Sequence, residues 1–258
     1  MAKIREQIEV LIEAKSDRNG DGSHLISQSL LQYQVNDFEL SLIKPILMGN
    51  TFIEEFYNIN NNTHLIWDSV LQNFVNKTTG EQYLIEVLID DFESGDFSGA
   101  AWNIVDGGEN DWKVGTDAVD SGTYGAYISN DAGVNNQYSS IGGGLDVSHM
   151  YIDIALPNAT SEIFLKFDWR CEAEIGFDYG NIFNATVGTV PTANSEVSGT
   201  FEIGQSQYND QSTFIEEMIS IPIGQAGTTR RFIFSWRNDT SVQNQPPMAI
   251  DNIKILYS

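Results

Sequence analysis

The sequence predicts a mainly β protein, built around a two-sheet sandwich that runs from about residue 88 to residue 258. Three observations lead there. First, apolar residues alternate with polar ones in several runs. Ile163, Leu165, Phe167 and Trp169 alternate with Phe164, Lys166, Asp168 and Arg170, and Phe232, Phe234 and Trp236 alternate with Arg231, Ile233, Ser235 and Arg237. Ile152, Ile154 and Leu156 do the same with Tyr151, Asp153 and Ala155. A period of two is the repeat of a strand with one face toward a core. Second, Gly-, Asn- and Ser-rich loops such as Ile141-Gly142-Gly143-Gly144 separate these runs, and helical periodicity is nearly absent. That is the pattern of packed antiparallel sheets. Third, two acidic segments bracket the region: Asp90-Asp91-Phe92-Glu93-Ser94-Gly95 opens it, and Ala249-Ile250-Asp251-Asn252-Ile253-Lys254-Ile255 closes it.

The preceding residues divide in two. Residues 1–49 predict a small α-helical hairpin. Ile4, Ile8, Leu11 and Ile12 share one face at helical spacing, and a second helix is expected over about 26–43, with Leu30, Leu31, Val35, Phe38 and Leu42 as its apolar stripe. Lys44-Pro45 ends it. So short a hairpin cannot bury its own stripe, so Ile4, Ile8, Leu11 and Ile12 are expected to serve assembly. Its loop, Asp17-Arg18-Asn19-Gly20-Asp21-Gly22, has the front half of an EF-hand spacing, but Gln28 stands where a bidentate Glu would close it. Calcium and an ordinary polar turn both remain open there. Residues 50–87 predict a β connector, with a strand at Leu65-Ile66-Trp67 and a hairpin turn at Lys77-Thr78-Thr79-Gly80.

Charge and composition exclude several functions. The formal net charge is −23, and between Glu86 and Glu162 fourteen acids face one base, Lys113. Phosphate-backbone binding needs clustered Lys and Arg, so no nucleic-acid partner is expected. A single cysteine, Cys171, excludes an internal disulfide. No apolar run is long enough to span a bilayer, so no membrane insertion is expected. The segment from Met1 to Glu9 has acids where a signal peptide would have its apolar stretch, and synthesis in the cytoplasm is the expectation. His24, His64 and His149 fall in three different segments without ligand spacing, and no Gly-x-Ser-x-Gly, P-loop or dinucleotide fingerprint occurs. No catalytic residue is assigned.

Two sets of site residues stand out. Alternation puts Asp251 on the same face as Ile253 and Ile255, where a carboxylate needs a cation or hydrogen-bond donors. With Glu93 in the acidic segment that opens the domain, it forms a candidate structural Ca2+ site; backbone amides are the alternative partners. Trp102, Trp112, Tyr124, Tyr127 and Tyr138 lie near Gly- and Asn-rich loops and are candidates for stacking on sugars, with core packing as the competing role.

Taken in order, Asp91-Phe92-Glu93 with Trp102, Ser121 to Ile128, Phe167-Asp168-Trp169 with Asp178-Tyr179, Gly227 to Trp236, and Ile250 to Ile253 resemble the MAM-like jelly rolls, including the choice-of-anchor J type, over about 90–257. The resemblance implies a jelly-roll β-sandwich, similar to carbohydrate-binding jelly rolls in which an early acid and a late Asp hold a structural calcium. By position, Glu93 and Asp251 match those two acids, with Asp91 and the loop from Asp120 to Gly122 as weaker candidates. The architecture of residues 1–87 resembles the N-terminal region of fibre and appendage proteins of Bacteroidetes phages. Together these imply a non-enzymatic virion protein, docked to other virion proteins by its helices, oligomeric, and displaying the jelly roll toward a host surface glycan. A cell-surface carbohydrate-binding module is the alternative reading, and a glycan-active hydrolase the second.

Overall fold

The structure, a computed structural model, describes residues 34–35, 55–58, 63–68, 73–76, 78–80, 82–140, 144–159, 161–197 and 201–258. The chain divides into two compact units: 1–87 with 160–162 and 256–258, and 88–159 with 163–255.

The first unit contains a four-stranded sheet in the order β1-β2-β3-β4, formed by β1 (Gln34–Val35), β2 (Glu55–Asn58), β3 (Thr63–Asp68) and β4 (Asn73–Asn76). The predicted strand at Leu65 is β3, and the predicted turn is present: Asn76 Oδ1 accepts from the amides of Thr78 and Thr79, at 2.8 and 3.2 Å. One expectation fails. Gln34 and Val35, placed in the second helix by their spacing, form a strand parallel to β2. Two residues of β-compatible chain take the pairing that a neighbouring strand offers, and tertiary pairing outweighs weak helical propensity. The remainder of the expected hairpin, with Ile4, Ile8, Leu11, Ile12 and the Asp17 loop, lies outside the described residues.

The second unit is the expected sandwich. Its strands are β5 (Ile85–Asp90), β6 (Asn103–Val105), β7 (Asp111–Gly115), β8 (Gly125–Ser129), β9 (Asp146–Ala155) and β10 (Ile163–Cys171). They continue with β11 (Tyr179–Thr186), β12 (Glu202–Tyr208), β13 (Gln211–Ser220), β14 (Thr229–Asn238) and β15 (Ala249–Tyr257). One sheet runs β13-β10-β15-β8-β7 with β5 also pairing β15, and the other runs β12-β11-β14-β9-β6. β10 pairs β13, and β14 pairs both β9 and β11, all antiparallel. The fold is a jelly-roll β-sandwich.

Alternation in sequence becomes alternation in burial. Along β10, Ile163, Leu165, Phe167, Trp169 and Cys171 are buried while the residues between them are half-exposed. The inward rings of the two sheets interlock edge to face: Phe167 with Phe234 at 5.7 Å, and Trp169 with Tyr208 at 4.9 Å. Such pairs contribute about 0.5–1.5 kcal/mol beyond the area they bury. β14 departs from simple alternation. Outward-facing Ile233 is also buried, because Val197 and Phe201 pack over Phe183, Ala185 and Ile233. The chain following β11 therefore covers part of the outer face of the β12-β11-β14-β9-β6 sheet, and this cover builds the site described next.

Candidate functional site

The two acidic brackets grip the same loop. Glu93 Oε1 accepts from the amides of Thr123 and Tyr124 at 2.8 and 2.9 Å. Asp251 Oδ2 accepts from those of Asp120 and Ser121 at 3.0 and 3.2 Å, and its Oδ1 from Asn252 at 2.8 Å. Gly122 has a left-handed φ of +78°, and a Cβ there would lie 2.4 Å from Glu93 Oε1, so the tight approach requires glycine. The amides of Tyr124 and Thr123 hold Glu93 below the usual carboxylate range. Asp251 is fully buried, and its burial outweighs its amide bonds, pushing its carboxyl up to about 6. Asp91 serves a local turn, its Oδ1 accepting from the Glu93 amide at 3.3 Å. The Asp120 side chain is 3.5 Å from Asn252 Nδ2, which also reaches Ser121 Oγ and Asp168 Oδ2 at 3.0 Å each. The sequence therefore brings the right segments together, and amides occupy the carboxylate oxygens named.

Among the described residues, the acidic side chains that approach within 4.8 Å of one another as a group of three are Glu174, Asp178 and Asp239. Their oxygens also have donors: Tyr138 Oη and the Asp239 amide on Asp178, Ser241 Oγ and the Val242 amide on Glu174, and Ser241 on Asp239. Glu174 and Asp178 precede β11 and Asp239 follows β14, 61 positions beyond Asp178 in the chain, so spacing in the sequence does not mark the group.

The expected sugar-stacking rim is not formed by the residues named for it. Trp112, Tyr127 and Tyr138 are completely buried. Tyr127 lies on β8, a strand buried at every position, and its hydroxyl donates to Gly133 O at 2.6 Å; the Tyr138 hydroxyl donates to Asp178 at 2.6 Å. Trp102 is half-buried between Phe92 and Phe234, with centroids at 6.0 and 5.8 Å, and donates Nε1–H to Asp90 at 2.7 Å. Tyr124 keeps partial exposure. Tyr127, Tyr138 and Trp102 bury their rings with a partner for the polar atom, whereas Trp112 is buried on β7 although its Nε1 meets no hydrogen-bond acceptor; loop proximity in sequence says little about either outcome.

A groove of about 180 Å³ lies instead on the outer face of the β12-β11-β14-β9-β6 sheet. Alternation on β11 sends Tyr179, Asn181 and Phe183 to that face, opposite Arg237, Ser235 and Ile233 of β14 in register. β12 adds Glu202 and Ser206, and the chain after β11 adds Glu196 and Val197. Half-buried Tyr179 has the Arg237 guanidinium 5.2 Å from its ring centre, a cation–π contact. Arg237 donates Nε–H to Glu196 at 2.6 Å and also reaches Phe177 O. Asn181 Nδ2 donates to Glu202 Oε1 and Ser206 O, at 2.7 and 2.6 Å.

Behind the groove, buried His149 fixes the covering chain. Its Nε2 faces the carbonyls of Thr192 and Ser195, both at 3.2 Å, so that nitrogen carries the proton and Nδ1 accepts from Ser235 Oγ at 2.6 Å. Burial holds the imidazole below its ordinary value. A larger cleft of about 370 Å³ lies among Gly107, Glu109, Ser140, Asp146, Asn238 and Asp239. It has no aromatic wall, so it lacks the flat apolar face that the smaller groove has.

No family model matches the chain, and no curated protein matches it. Solved structures resemble it distantly. The K3 cleaved adhesin domain of Lys-gingipain from Porphyromonas gingivalis is 14% identical with a TM-score of 0.40, over 67% of this chain and 99% of that one. The family 11 carbohydrate-binding module from Clostridium thermocellum, in complex with a β-1,3-1,4-mixed-linked tetrasaccharide, is 16% identical with a TM-score of 0.39, over 67% and 96%. TmCBM61, in complex with β-1,4-galactotriose, is 12% identical with a TM-score of 0.39, over 65% and 94%.

Proposed function

We propose that the sandwich is a non-catalytic glycan-binding module. The observation that carries this reading is the sheet-face groove, which combines a half-exposed tyrosine with amide, hydroxyl and carboxylate groups at its rim. Sugars present an apolar C–H face and an equatorial ring of hydroxyls, and such a groove meets both. A shallow site of 180 Å³ gives weak single-site binding, about 4–6 kcal/mol, and useful adhesion then needs many copies. The pair that comes nearest to hydrolytic chemistry is Ser235–His149, but Ser235 is buried and the far nitrogen of His149 meets carbonyls instead of an acid. The test is binding of the full chain, multimerised, to a glycan array. Binding is expected, with Tyr179→Ala weakening it about tenfold through the lost stacking face. Turnover of any polysaccharide would overturn the non-catalytic part.

The alternative reading of the sequence is thus the one favoured. A virion role rests on the architecture of residues 1–87, including the expected hairpin, most of which lies outside the described residues, and no described feature argues for it. Calcium at Glu93 and Asp251 stands as a proposal. The donor type suits it, since both are hard carboxylate oxygens, and buried Asp251 is the group whose cost a cation would relieve. Elemental analysis together with thermal melting in chelator tests it. Bound calcium and a lower Tm in chelator are expected; no metal and an unmoved Tm would refute it.

A further inference from the structure

Resting on the glycan-binding reading, we propose that the groove selects uncharged polyhydroxylated chains and rejects anionic ones, and that Glu196 and Glu202 set this selectivity. Of the polar side chains at the rim, Asn181 and Arg237 already spend nitrogen donors on protein acceptors, while the Tyr179 and Ser206 hydroxyls can donate or accept. Asn181 Nδ2 donates to Glu202 Oε1 and Ser206 O. The one cation, Arg237, lies against Tyr179 with its charge met by Glu196 at 2.6 Å. What faces outward is acceptor-rich: Asn181 Oδ1 and the exposed carboxylates of Glu196 and Glu202. A carboxylate accepts hydrogen bonds and donates none. A ligand complementary to this surface brings hydroxyl hydrogens, which every neutral sugar ring supplies. A uronate, sialic acid or sulfate group would instead bring acceptors and negative charge to a rim whose two glutamates outnumber its one arginine, on a chain whose net charge is already −23.

The full chain, multimerised, is probed on an array carrying neutral, sialylated, sulfated and uronate-containing glycans, at low and at physiological salt. Signal on neutral glycans alone is expected. The double variant Glu196→Gln with Glu202→Gln removes two negative charges and frees Arg237, so the ratio of its anionic to its neutral glycan signal should rise roughly fivefold at low salt and by less at high salt. Wild-type binding of anionic glycans as strong as that of neutral ones overturns the selectivity and leaves the glycan-binding reading standing. So does a double variant with unchanged preference. Absence of binding to every glycan, by a protein that melts cooperatively, overturns both.

Discussion

At Asp251 a carboxylate is held without solvent contact by three backbone amides. Its value in the folded protein, about 6, exceeds that of a free aspartate. Between roughly pH 4 and 6 the folded chain keeps a proton there that the unfolded chain has released. The stability from this group is therefore complete below pH 4 and is lost as pH rises through about 6, on the order of 2–3 kcal/mol. In chelator, urea titrations from pH 4.5 to 7 should show this decline, and Asp251→Asn should abolish it. Phe234 is a simpler residue. It is fully buried, with Phe167 and Trp102 against its ring at 5.7 and 5.8 Å. Phe234→Ala should cost about 3–5 kcal/mol in urea denaturation, through lost burial and the cavity left behind. The position of Phe234 was legible from alternation. The amide partners of Asp251 were not, because they come from a loop some 130 positions earlier in the chain.

Elements add what single residues do not show. β14 reads as a strand with one buried face, yet the structure buries Ile233 on the other face beneath Val197 and Phe201. The chain after β11 is polar and reads as a loop. Its role as a cover comes from specific ties: His149 to Thr192 and Ser195, Arg231 to Thr189 O at 2.8 Å, and Arg237 to Glu196. His149 is buried and depressed, so its contribution to stability is present above about pH 6.5 and is lost as pH falls toward its lower folded value. This is opposite in sign to Asp251, and the two separate by position. Hydrogen exchange at pH 5.5 should show the amides of residues 189–197 losing protection relative to pH 7.5, while β10 stays protected. Equal protection at both pH values would remove His149 as the clamp. A second element-scale test is Gly180→Ala on β11, where a Cβ would meet Met248 Sδ at 1.9 Å. Overpacking of this kind costs about 1–3 kcal/mol.

For the whole molecule, the net charge of −23 acts as self-repulsion that salt relieves. Raising NaCl from about 10 to 150 mM, a Debye length of roughly 30 Å falling to 8 Å, should raise Tm. All strands of the two sandwich sheets lie within residues 85–257, so deletion of residues 1–49 should leave a cooperative β domain with its melting transition retained; loss of that transition would show the first 49 residues to be part of the fold. The sequence by itself determined the fold class and the inward faces of β9, β10 and β14, because alternation is a local signal with strict consequences. Only the tertiary structure decided which aromatics are exposed and where the sheet face forms a groove. Trp112, Tyr127 and Tyr138 went inside and Tyr179 stayed at the surface. That choice depends on which strand lies opposite and on what the chain after β11 covers, and neither is written in the spacing of residues along one strand.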